Sequence, residues 1–319
     1  CILIFQLTNM LNRRDSLKLS ATLLAGVFIP AAVKATVTAP QGPFRFCLNT
    51  STISGQNPGL LSAIDIASTA GYDGMELWIS DIKAWLKKGN TLQSLATYLS
   101  SKNIVVENAI SFTAWMVEDE AQHKTALIEL EEEMKIMAAL GCHRIAAPPV
   151  GLNKNQPLDF QKAGARYRQI LALGRQYNVM PLLEFWGASG TLYNLGQAMA
   201  IAAAANDKDA RILPDVYHLF RGGSGFEGLS LLNGKVIDII HMNDYPAAKP
   251  VAEQTDSDRV YPGDGVAPLK QILRDLKNIG GTKVLSLELF NKTYWGQDPL
   301  VVATTGLQKM QSLVKEVMD

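Results

Sequence analysis

Cysteine is scarce in this chain: Cys1, Cys47 and Cys142 are odd in number, far apart, and set in no CxxC or Cys/His spacing. That excludes a disulfide framework and a thiolate metal site. Charge of one sign is also missing, with 30 Lys+Arg against 30 Asp+Glu and no Lys/Arg-rich run. Without an electrostatic footprint for a phosphate backbone, nucleic acid is not an expected partner. Only four histidines occur, so each one that falls beside an acid at the end of an apolar run carries weight. Present in quantity are apolar residues, 47% of 319, and 25 glycines. This is the composition of a soluble, enzyme-sized globular protein with a large core.

The N-terminal text is read as separate from the fold. From Met10, MLNRRDSLKLS places Arg13 and Arg14 before an apolar stretch of about Leu19 to Val33, and Val33-Lys34-Ala35 supplies small residues for cleavage after Ala35. NRRDSLKLS resembles a twin-arginine export signal, so residues 10–35 are expected to be a cleaved signal peptide and the location periplasmic. The alternative is an uncleaved anchor, but the apolar stretch is shorter than the ~20 residues of a span. No stable membrane span is expected after cleavage. The nine residues before Met10 are read as lying upstream of the real start.

From Phe44 onward, short β-branched or apolar runs alternate with segments of helical period. The strand candidates are FRFCLNTS, GMELWI, IVVENAISF, RIAAPP, MPLLEFWG, ARILPDVYH, VIDIIHMND and VLSLELFN. Between them lie helical segments such as TALIELEEEMKIMAALG, whose Leu127, Leu130, Met134, Met137 and Ala138 share one face. Gly71, Gly141 and Gly280 stand just after periodic runs, where a left-handed cap is wanted. Eight such units in roughly 280 residues predict an α/β (β/α)₈ TIM barrel, whose usual length is about 250. A doubly wound open sheet is the alternative, but no GxGxxG opens the first helix. No Pro/Gly-rich linker divides residues 36–319, which read as one domain.

In such a barrel the chemistry sits at the C-terminal ends of the strands. Glu184, Asp215, His241 and Glu288 end the fifth to eighth strands, one residue from each. Three oxygen donors and an imidazole suit one divalent ion, Mn²⁺, Mg²⁺, Co²⁺ or Zn²⁺, with positions left for substrate oxygens. Glu184 in PLLEFWG and Glu288 in LSLELFN have apolar residues on both sides, and an unpaired carboxylate there would cost several kcal/mol or protonate. A cation removes that cost. Glu76 and Glu107 with Asn108 end the second and third strands, and Glu107 is taken as a substrate-binding candidate.

His218, three residues past Asp215, is expected to have left the strand and to hydrogen-bond substrate. Arg221 either holds a substrate oxyanion or hydroxyl pair or faces solvent. The loop DRVYPGDGVAPLKQIL is expected to bring Arg259 and Asp264 over the mouth, with Pro268 at the next helix start. His123 and His143 are expected at the surface, and Glu131, Glu132 and Glu133 on a solvated helix face. Trp78, Phe112, Trp115, Trp186 and Tyr294 either wall a sugar's carbon face or roof the core.

The text LLEFWG, LPDVYHLFRGG, IIHMND, RVYPGDGVAPLKQIL and LSLELFN resembles the sugar phosphate isomerase/epimerase family of the xylose isomerase-like TIM barrel superfamily. The resemblance runs from about Phe44 to the end. It implies Glu184, Asp215, His241 and Glu288 as metal ligands, Glu184 and Glu288 also as catalytic proton shuttles, and His218 and Arg259 as substrate-binding residues. The implied activity is a divalent-metal-dependent sugar isomerase or epimerase, transferring a proton alpha to a carbonyl through a metal-bound enediolate. Expulsion of a β-leaving group on the same site gives the alternative, a lyase or dehydratase acting on a 3-keto-glycoside or inosose. A sugar-binding barrel without catalysis is a third reading. The expected partner is a small sugar or polyol, unphosphorylated if the chain is exported, and a homo-oligomer is left open.

Overall fold

The computed structural model describes residues 42–153 and 156–319. The segment read as an export signal and its cleavage point lie outside the described residues. Eight parallel strands come first to attention: β1 (Phe44–Asn49), β2 (Gly74–Trp78), β3 (Val105–Ile110), β4 (Arg144–Ala147), β5 (Met180–Glu184), β6 (Ile212–Leu213), β7 (Ile239–Met242) and β8 (Lys283–Leu287). Ladders run in the order β3-β2-β1-β8-β7 and β4-β5-β6. Parallel bridges Ile212↔Ile237 and Asp215↔His241 join β6 to β7, and β3 lies alongside β4. The ring is therefore closed, the arrangement of a (β/α)₈ barrel, and the alternative of an open doubly wound sheet is excluded.

The helices are α1 (Leu60–Ala70), α2 (Ile79–Lys87), α3 (Leu92–Ser101), α4 (Glu120–Ala139), α5 (Phe160–Tyr177), α6 (Leu195–Ala204), α7 (Val216–Arg221), α8 (Leu269–Asn278), α9 (Lys292–Trp295) and α10 (Pro299–Met318). Gly71 and Gly141 follow α1 and α4 at φ +97 and +72, the left-handed conformation that ends a helix without a Cβ penalty. On α4, Leu130, Met134 and Met137 are buried as their spacing predicts, whereas Ala138 is exposed. No helix among the described residues is long and apolar enough to cross a membrane.

The core has two parts. Between strands and helices lies the larger one, including Leu48, Ile64, Met134, Ile170 and Ile240. Cys47, Ile110, Ala146, Leu182, Leu213, Ile239 and Val284 form a second set inside the barrel, and Cys47 and Cys142 are free, buried thiols. Each fully buried aliphatic side chain contributes about 1.5–3 kcal/mol, so this inner layer is a stiff floor. Because strand side chains alternate, the residues two places further along β1, β5, β6, β7 and β8 are Asn49, Glu184, Asp215, His241 and Ser286. An apolar floor with a polar layer directly above it thus follows from period-2 alternation.

Candidate metal centre and active site

Asp215 illustrates how local folding builds the site. The strand β6 stops after Leu213 because Pro214 cannot donate to a ladder, and Asp215 turns the chain into α7. Its Oδ1 caps that helix by accepting from His218 N at 2.9 Å, which leaves Oδ2 to face the barrel. His218 therefore stands in the first turn of a helix. The expectation of a loop there is corrected.

Three side chains gather around one atom, His241 Nδ1. Glu288 Oε2 lies 3.1 Å from it, Asp215 Oδ2 3.6 Å and Glu184 Oε1 4.0 Å. Ligand atoms of Asp215, His241 and Glu288 lie within 4.8 Å of one another. His241 Nδ1 is buried and has no aligned hydrogen-bond partner, because the ring is held from its other side, where Nε2 meets Glu76 Oε2 at 3.0 Å. An imidazole nitrogen among three carboxylates, none of them more than 5% exposed, is a donor set that fits a divalent ion.

Arg259 is the cation that the protein itself supplies. It is 1% exposed, and its Nη1 donates to Asp215 Oδ2 and Glu288 Oε2, both at 2.8 Å. Its Nη2 donates to Asp256 Oδ1 at 2.6 Å and to His218 Nε2 at 3.2 Å. Accepting that bond requires a neutral imidazole, and burial, reinforced by the Arg259 charge, holds the His218 pKa below its ordinary value against the pull of Asp215.

The acids separate in the same field. Burial pushes Glu184 up to about 8, against the pull of His241 and with the repulsion of Glu288 and Asp215 added. Burial acts on Asp215 as well, but Arg259, His218 and His241 outweigh it and hold this carboxyl well below its usual value. For His241, burial is outweighed by Glu288 and Glu76, which raise its pKa well above the ordinary value.

Above this floor opens a cavity of about 370 Å³. Glu184, His218, Arg259 and Glu288 line it, together with the aromatic rings of Trp78, Phe112, Trp186 and Phe290. Ring centroids are 5.2 Å apart for Trp78 and Phe112 and 6.2 Å for Phe112 and Trp186, a nearly continuous aromatic face. Trp115 does not belong to it: its indole is buried and donates to Pro148 O. Tyr294 is stacked on Tyr261 at 4.1 Å.

Several sequence expectations are corrected by the structure. Glu107 is not at the mouth, because β3 continues to Ile110 and the register shift between Met75 and Glu76 makes Glu107 the extra residue of a bulge. Its carboxylate instead meets Arg45 Nε at 2.9 Å and Arg144 Nη1 at 3.0 Å, near the starts of β1 and β4. Arg221 is not among the cavity residues; its guanidinium donates to the backbone oxygens of Val251 and Ala252. Asp264 is tied to Lys309. His123 is buried, with Nε2 at 2.6 Å from Gln169 Oε1, whereas His143 is exposed. Glu133 is buried beneath the β3 end, accepting from Ser111, Thr113 and Lys83.

Sequence reasoning passed over Glu76, Asn49 and Asn243 as parts of the site. Asn49 Nδ2 donates to Glu76 and to Glu288, both at 3.1 Å. Asn243 Nδ2 donates to Asp215 Oδ2 at 3.2 Å. Counting every second residue from Cys47 and Ile239 of the apolar floor would have found Asn49 and Asn243.

A closed barrel with a buried carboxylate–imidazole cluster, a candidate metal site, under an aromatic-walled cavity defines the class. The particular family follows from residues 64–313, which match the xylose isomerase-like TIM barrel, and the chain belongs to that family. It is 30% identical to the inosose isomerase of Bacillus velezensis over 256 residues, 79% of this chain and 90% of that protein. The inosose isomerase of Bacillus subtilis is 30% identical over 257 residues, 79% of this chain and 91% of that one. Among solved structures, the IolI protein with a bound zinc atom superposes with a TM-score of 0.78 at 26% identity, covering 86% of this chain and 99% of the other.

Proposed function

We propose that this protein is a divalent-metal-dependent isomerase or epimerase that moves a proton alpha to the carbonyl of an inosose-like cyclic ketone or a ketose. The observation that carries the reading is the convergence of Glu184, Asp215, His241 and Glu288 on one buried point that opens into the cavity. The inosose isomerase relatives and the zinc-binding relative support it. A bound ion would supply Lewis-acid polarisation of a substrate carbonyl.

The protein's own residues divide the remaining work. Without an ion, burial pushes Glu184 up to about 8, whereas Glu288 accepts hydrogen bonds from Arg259 and Asn49. Two carboxyl groups in unlike surroundings on the same cavity are what reversible proton transfer needs. His218 and Arg259 face the cavity as hydrogen-bonding groups for substrate hydroxyls. The aromatic wall packs the C–H face of a ring and keeps water from the carbanion-like carbon.

We propose further that the substrate is unphosphorylated and that the protein works in the periplasm. No lysine lines the cavity, and the one arginine that does is already engaged by three carboxylates. NRRDSLKLS supports export. Phe112, 48% exposed at the outer edge of the wall, gives a second reading its footing, since an apolar leaving group of a keto-glycoside would rest there.

The test is solvent deuterium incorporation into inososes, ketoses and 3-keto-glycosides with Mn²⁺ present. Exchange at the carbon alpha to the carbonyl without fragmentation supports isomerase or epimerase chemistry. Release of free aglycone selects elimination instead. No exchange from a protein that also binds no divalent ion overturns both.

A further inference from the structure

We infer that Glu76 is the positioning residue that selects which nitrogen of His241 faces the metal ligands, and that Asn49 couples this selection to Glu288. The inference rests on the metal reading above. Glu76 is the third residue of β2, is 0% exposed, and lies beneath the ligand set on the side away from the cavity lining. Its carboxylate is met by donors from four other strand positions. His241 Nε2 stands 3.2 Å from Oε1 and 3.0 Å from Oε2, Asn108 Nδ2 donates to Oε1 at 2.7 Å, and Asn49 Nδ2 donates to Oε2 at 3.1 Å. Ser286 Oγ also donates to Oε2. Among the described residues, no lysine or arginine is ion-paired with it, so its charged partner is the imidazole alone.

This geometry has a chemical consequence. A neutral imidazole that donates its Nε2–H to a carboxylate presents a lone pair at Nδ1 and becomes a more basic ligand. Nδ1 is the nitrogen that Glu288, Asp215 and Glu184 surround at 3.1, 3.6 and 4.0 Å. Asn49 extends the control, because its one amide nitrogen donates to both Glu76 and Glu288 at 3.1 Å. The same amide's Oδ1 is fixed by Ser51 N at 3.0 Å and Trp78 Nε1 at 3.2 Å, so it cannot turn over. An amide at position 76 breaks this pattern: three of the groups around it are N–H donors, and a new NH₂ must face at least one of them.

Glu76→Gln tests the inference, read by Co²⁺ and Mn²⁺ titration of the full protein. The dissociation constant is expected to rise about 10- to 100-fold, with a changed Co²⁺ visible spectrum and little change in the far-ultraviolet circular dichroism. A folded Glu76→Gln protein that binds both ions within threefold of wild type, with the same Co²⁺ spectrum, overturns it. Should that variant not fold, ¹⁵N-histidine NMR of the ion-loaded wild type decides. A protonated Nε2 on His241 is expected, and a proton on Nδ1 overturns the inference. Wild-type protein that binds neither ion removes the metal reading itself, whereas wild-type binding with an indifferent variant removes only the role of Glu76.

Discussion

The two ends of the barrel hold buried charge in opposite ways. At the starts of the strands, Glu107 lies between Arg45 and Arg144, and Asp238 lies 3.7 Å from both Arg144 and Arg211. Both of these acids have arginine partners within 4 Å. At the other end, Glu76, Glu184, Asp215 and Glu288 face one arginine and one histidine. This excess of carboxylate is held under Arg259, which is carried by the loop between β7 and α8 and fastened by Asn291 Nδ2 to its carbonyl at 2.9 Å. Charge is nearly balanced at one end, while the excess of carboxylate at the other makes a candidate cation site.

The sharpest way to break this comparison is to neutralise acids at each end in turn. At the mouth, Glu184→Gln and Glu288→Gln are each expected to slow substrate deuterium exchange by about 10²–10⁴-fold, the usual share of a proton-transferring group. Exchange at the wild-type rate in both variants would deny these carboxylates a catalytic role.

The next effect is on stability and has a defined sign. Glu184 releases its proton near 4.5 in the unfolded chain but keeps it to about 8 in the folded, ion-free protein. Between those values the native state holds the extra proton, so this group lowers stability as pH rises through the window and adds no further loss above it. At about 1.4 kcal/mol per pH unit the cost reaches a few kcal/mol. Thermal melts without divalent ion should therefore show Glu184→Gln gaining on wild type from pH 4.5 to 8. An excess of Mn²⁺ should flatten the wild-type slope by giving the carboxylate its partner. A constant difference between the two proteins across that range would contradict the raised pKa.

At the balanced end, Glu107→Gln leaves Arg45 and Arg144 without their carboxylate. Removing one member of a wholly buried pair costs about 3–5 kcal/mol, and because the two arginine side chains are 15% and 25% exposed, about 2–3 kcal/mol is expected. Urea unfolding measures it. Exchange per folded molecule should stay at the wild-type rate, and a selective loss of catalysis would restore Glu107 to the site.

Which features were legible in the sequence follows the same division. The barrel was readable because eight apolar runs alternate with helical periods, and closure needs only that repetition. Glu184 and Glu288 were readable because apolar neighbours made their burial evident. Glu107 was misplaced because a β-bulge breaks the period-2 count, and a bulge has no reliable local signature. Glu133 was taken for a solvated charge because the residues that receive it, Ser111 and Thr113, are about twenty positions away. His123 was missed for the same reason: its partner, Gln169, comes from the following helix. Glu76 stood in plain view at the end of an apolar run. What the sequence did not reveal was His241 above it, which only the closed ring brings within reach.

Arg221 provides the finest test of the comparison, because it serves the mouth without facing it. Its guanidinium, at the end of α7, binds the backbone oxygens of Val251 and Ala252, a short way before Asp256 and Arg259 in the same loop. Lys249 with Asp258 at 2.6 Å, and Asp244 with the amides of Gly263 and Gly265 at 3.0 Å, fasten the rest of that loop. Losing one of several exposed fastenings costs under about 1 kcal/mol of stability. Arg221→Ala is therefore expected to raise KM about two- to fivefold, through a less well-placed Arg259, while kcat and the melting temperature stay close to wild type. A large loss of kcat would mean that Arg221 reaches the reacting substrate after all, and that the mouth closes further on binding than its resting geometry implies.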